Sequence, residues 1–115
     1  MSDTTKRGLR THEDLLEARI RNRDSEPGRM VLDLASDATL TFESVRKQLT
    51  DAIATAKRRL AQTEELIAGN FHVDSCGVLQ SLGVEIDRLC GEYGRTATAA
   101  GHAQRLATKM GCLPE

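Results

Sequence analysis

The residues of this 115-residue chain best suited to chemistry are its three cysteines, two of its three histidines and one acidic side chain. His72, Asp74 and Cys76 fall within five positions of each other and offer nitrogen, oxygen and sulfur donors. That set defines a candidate thiol or metal site, because thiolate, imidazole and carboxylate are the ligands a zinc-like ion takes. His72 and Cys76 have the i,i+4 spacing of one helical face. His72, however, precedes the residues expected to cap that helix (Asp74 or Ser75), and no second ligand pair follows at a metal-site interval. Cys76 and Cys90 are fourteen residues apart on one expected helix, so their Cα atoms lie about 21 Å apart. A disulfide spans roughly 4.4–6.8 Å, which excludes a bridge between them within a chain. Cys76, Cys90 and Cys112 are therefore expected to be reduced and structural, with Cys90 a small buried hydrophobe beside the apolar seam. No metal and no cofactor is expected.

Other constellations carry less. His102 followed by Arg105 has the spacing of a phosphotransfer helix, but Leu106 fills the place where a small residue would leave the imidazole accessible. Ala103 to Gly111 (AQRLATKMG) reads as the first half of a helix-turn-helix, and Pro114 disfavours the recognition helix that would have to follow. Leu66 to Gln80 (LIAGNFHVDSCGVLQ) loosely resembles, over about fifteen residues, the loop and helix start of all-helical copper-sensor and formaldehyde-sensor repressors. The Gly-Gln signature of that family is missing from the long helix, and Ile86 stands four residues before Cys90 where the family has His. The resemblance implies no membership. No Gly-rich phosphate loop and no Ser-His-Asp order stands out.

Composition narrows the classes further. Hydrophobic residues make up 39% and aromatics 3%, with no Trp, so a core must be built from Leu, Ile, Val and Ala. Charges balance at −1 overall and stay balanced along the chain: residues 1–30 carry seven Lys/Arg against six Asp/Glu, and residues 69–115 four against five. No segment has the basic excess that contact with a phosphate backbone requires. No apolar run reaches the roughly 18–20 residues of a membrane span, and the first ten residues lack a secretory apolar stretch. A cytoplasmic location is expected, with thiols reduced.

The elements that would position these residues are helical. Residues 1–10 read as a flexible polar tail and residues 11–115 as one helical domain. Thr11 offers an N-cap with Glu13 and Asp14 in the first turn, and that helix should stop before Pro27-Gly28. Residues 30–40 fit a short helix ending near Ser36-Asp37, or a small hairpin. The dominant element runs from Thr41, as N-cap, to Gly69-Asn70, with Phe42, Val45, Leu49, Ile53, Ala56, Leu60 and Ile67 at helical spacing and a gap at Thr63. Leu79, Leu82, Ile86, Leu89 and Tyr93 repeat at 3-4-3-4 spacing in the next helix, with a close backbone contact expected at Gly83 and a stop at Gly94. A last, small-residue helix runs from Thr96 or Thr98 to Lys109. The expected fold is thus all-α, a small bundle on a long antiparallel αα-hairpin (41–69 with 75–93) flanked by shorter helices.

The functional expectation is a non-enzymatic interaction protein: a regulator, adaptor or inhibitor with a protein partner and a homodimeric state. The stripe near Phe42, Val45 and Leu49 is farthest from the connecting loop and the part the neighbouring helix covers least, so the dimer seam is placed there. The alternative is a DNA-associated regulator, thiol- or metal-responsive through His72 and Cys76, although basic rows such as Arg46 with Lys57 read better as a solvated ion-pair face. No membrane partner is expected.

Overall fold

The first helix is set by its cap. In the computed structural model, which describes residues 8–70 and 76–114, Thr11 has extended backbone and its hydroxyl accepts from the Asp14 amide, while Asp14 returns a bond to the Thr11 amide. This capping box opens α1 (His12–Arg21). The helix closes at Asn22, whose amide donates back to the Ala18 carbonyl.

Pro27 then begins a helix rather than ending one. Ser25 accepts from the Gly28 amide through its hydroxyl and from the Arg29 amide through its carbonyl. Pro27 falls in the first turn, where its missing N–H leaves no bond unmade. From there α2 (Glu26–Ala68) continues for 43 residues, about 65 Å. The separate short helix or hairpin expected over 30–40 does not exist, and Thr41 is no cap. It sits inside α2, with its hydroxyl turned back onto the Asp37 carbonyl at 3.1 Å. Asn70, at φ 60°, ends the run just past Gly69.

The third helix is also longer than its sequence suggests. α3 (Cys76–Lys109) passes through Gly94 without a break, so the two expected elements are one. Leu79, Leu82, Ile86 and Leu89 are buried or half-buried along one side as expected, but Tyr93, expected in the same row, is exposed. The same 3-4 spacing continues through Thr96, Ala100, Ala103 and Ala107, all fully or partly buried. Buried residues on either side of Gly94 outweigh the propensity cost of about 1 kcal/mol for an interior glycine. The helix ends in a Schellman turn: Gly111, at φ 78°, donates to Thr108, and Cys112 donates to Ala107. Among the described residues the protein is all-helical, as expected, with helices packed on helices.

Contacts divide the chain into two compact units. One joins the described residues up to Glu43 with those from Gly94 onward. Its core gathers Leu15 and Ala18 of α1, Val31, Leu32 and Ala35 of α2, Ala103 and Ala107 of α3, and Cys112 and Leu113 beyond it. Arg19 pairs with Asp33 at 2.6 Å and the His12 amide reaches Glu43, so α1 folds back antiparallel to α2. Gln104 bonds Thr39, and Gly28 lies beside Cys112, which sets the end of α3 antiparallel to the start of α2. Leu9 and Arg10 belong to this unit and not to a free tail. Arg10 and Gln104 exchange two hydrogen bonds at 2.9 and 3.1 Å, and the Arg10 guanidinium donates to the Pro114 carbonyl. Residues 1–7 lie outside the described part.

The second unit is Ser44–Tyr93, containing the remaining stretches of α2 and α3. Val45, Thr63 and Leu89 are its buried residues among those described.

Candidate interaction face

The expected site residues are not assembled into a reactive cluster by the described structure. His72 and Asp74 lie outside the described residues. Cys76, the first residue of α3, is exposed. Cys90 is exposed too, contrary to the buried seat expected of it: Leu89 takes the inward position, and the next residue is turned about 100° around the helix. Cys112 is buried, as a small apolar side chain would be. Among the described residues no group of three or more His, Cys, Asp or Glu is placed to hold a metal ion. His102 is exposed on α3.

The expected dimer seam also changes character. Phe42 and Val45 are 8% and 6% exposed within a single chain, and Leu49 is half-buried. The premise that this end of the stripe is uncovered fails, since Phe42 and Val45 are already buried within one chain.

Among the exposed large apolar residues of α2, one set lies a row around from the buried stripe. The inward face carries Phe42, Leu49, Ala56 and Thr63 at seven-residue intervals, with Val45 and Ala52 between them. Thr63, which looked like a gap in the stripe, is buried, and its hydroxyl bonds the Arg59 carbonyl at 2.8 Å. That internal bond removes the cost of burying the hydroxyl. Ile53, Leu60 and Ile67, expected on the same buried stripe, are instead 38%, 51% and 59% exposed. The apolar arc of α2 is wider than one neighbouring helix can cover. These three side chains also repeat every seven residues, about 40° from Leu49, Ala56 and Thr63. Farther around the same side stand Lys57 and Glu64, flanked by Ala54, Ala61 and Ala68, all exposed.

The rest of the unit's surface carries local ion pairs. Lys47 meets Asp51 at 3.1 Å. On α3, Arg88 contacts Glu85 at 2.7 Å and also reaches Glu92. The hydrogen bond from Arg88, reinforced by its charge, holds the Glu85 carboxyl below its ordinary value, and the same contact raises the guanidinium. Lys47 belongs to the basic rows of the long helix expected to be solvated and ion-paired, whereas the Arg88 pairs lie on α3, outside those rows.

No helix among the described residues is long and apolar enough to cross a membrane. Comparison with protein families, with curated proteins and with solved structures finds no match to this chain.

Proposed function

We propose that this protein is a non-enzymatic helical interaction protein that works by binding another protein in the cytoplasm, as a regulator, adaptor or inhibitor. The observation that carries the reading is the exposed line of Ile53, Leu60 and Ile67 on α2. Single exposed apolar residues are ordinary on any surface, but three large ones, one every seven residues on a regular helix, form a row in register suited to another helix. In this reading α2 and α3 form a long antiparallel hairpin whose second unit presents that strip.

The test is retention. A tagged chain is recovered from its host beside a Leu60→Glu variant whose helicity by circular dichroism equals the parent's. Leu60 is half in solvent already, so the variant leaves the fold intact. A protein, whether a different one or an untagged copy of the chain, retained in stoichiometric amount by the parent and lost with Leu60→Glu supports the reading. Equal retention by both, or by neither, removes this strip from the function.

A further inference from the structure

We propose that the occupant of the Ile53–Leu60–Ile67 strip is a second copy of the same strip, packed antiparallel about a two-fold axis at Leu60. This deepens the interaction reading above and rests on it. The support is a symmetry in the exposed residues themselves. Ile53 and Ile67 stand seven residues either side of Leu60, so reversing the helix about Leu60 places Ile53 on the partner's Ile67 and Leu60 on its own equivalent. Lys57 lies three residues before the axis and Glu64 four after it. Reversal therefore brings Lys57 alongside the partner's Glu64, with an axial offset of about 1.5 Å. Both charges gain an opposite partner, twice per dimer. A parallel pairing would match the apolar row equally well but would set Lys57 against its copy and Glu64 against its copy. Charge thus selects the antiparallel arrangement.

The five residues Ile53, Lys57, Leu60, Glu64 and Ile67 follow the alternating four-three spacing of a helix–helix seam. All five are exposed in the single chain, as are Ala54, Ala61 and Ala68 beside them, whose small size lets a second backbone approach. This second seam lies beside the buried one on α2, so a copy can dock without displacing α3. Its length is about 21 Å from Ile53 to Ile67. One helix face of that length buries less than the ~800 Å² per partner of a standard stable complex. The dimer is accordingly weak and concentration-dependent.

Two measurements test this on the full chain. Sedimentation equilibrium over a hundredfold range of concentration should show reversible dimerisation that is lost in Leu60→Glu. Lys57→Glu and Glu64→Lys should each weaken it, and the two together should restore it. The orientation is read by crosslinking in a Cys76→Ser/Cys90→Ser background. Under mild oxidation Leu60→Cys should form a disulfide-linked dimer. Ile53→Cys alone should not, but Ile53→Cys mixed with Ile67→Cys should. Self-crosslinking of Ile53→Cys, or no rescue in the doubly swapped variant, overturns the antiparallel register. A chain that is monomeric at every concentration, with Leu60→Glu still abolishing retention of a cellular protein, overturns the self-pairing and leaves the interaction reading standing.

Discussion

Gln104 illustrates how one polar side chain can organise a small core. Its amide donates to the Thr39 hydroxyl at 2.8 Å and to the Arg10 carbonyl, and its oxygen accepts the Arg10 amide. Three segments distant in sequence meet at that one group. Gln104→Ala should cost about 1–3 kcal/mol, because buried partners on Thr39 and Arg10 are left without their bonds. Thr39→Val should cost less, since the amide keeps its bonds to Arg10. Urea denaturation of the two variants gives the comparison. At the surface, Glu85 offers a pH-dependent counterpart. Its carboxyl is held low by the Arg88 hydrogen bond, so its contribution is complete above the unfolded carboxylate value and fades as pH falls through the lower folded value. Glu85→Gln should therefore lower the melting temperature slightly at neutral pH and match the parent in strong acid. An equal difference at both pH values would show that the ion pair is not the cause.

At the scale of the element, the lesson is the continuity of α2 and α3. Gly83 and Gly94 look like a packing contact and a stop, yet an added Cβ would meet nothing within 4 Å at either position. Both lie in helix interiors. Gly83→Ala and Gly94→Ala should each stabilise the protein by about 0.4–1 kcal/mol, through reduced freedom of the unfolded chain and better helix propensity. Gly28 differs. A Cβ there would lie 3.0 Å from the Ser25 hydroxyl and 3.3 Å from the Cys112 thiol, so Gly28→Ala should bring no gain and disturb the α2 cap. Thermal melts of the three alanine variants check both statements. The core of the first unit is less forgiving: Leu32 is fully buried, and Leu32→Ala should cost about 2–5 kcal/mol.

For the molecule as a whole, two units with different degrees of burial imply different stabilities. The first has a cluster of nine buried residues, whereas the second buries Val45, Thr63 and Leu89 among its described residues. Hydrogen exchange should therefore protect amides around Leu32 and Ala103 more strongly than those around Leu60 and Ile86. In the dimer proposed here, protection around Leu60 should rise with protein concentration while that around Leu32 stays unchanged. A uniform response along the chain would contradict the division. Far-UV circular dichroism should show strong helical minima and no strand contribution.

Much of this fold is written locally. Thr11 with Asp14 specifies the start of α1, Gly111 the end of α3, and the 3-4 spacing from Leu79 onward the inner face of that helix. Those signals depend on neighbours within a turn or two, so they can be read from the residue order. What the order could not decide is which signals lose to packing. Thr41 and Gly94 are local start and stop signals of ordinary strength, worth about 1 kcal/mol or less where the backbone can accommodate them. Burial of Val31, Ala35, Ala103 and Ala107 in one cluster outweighs them, and that burial exists only once the helices lie side by side. The same holds for the candidate face. Ile53, Leu60 and Ile67 have the spacing of core residues, and the buried stripe of α2 has it too. Only tertiary packing, which buries Thr63 and leaves Leu60 in solvent, separates the row that holds the chain together from the row left to meet something else.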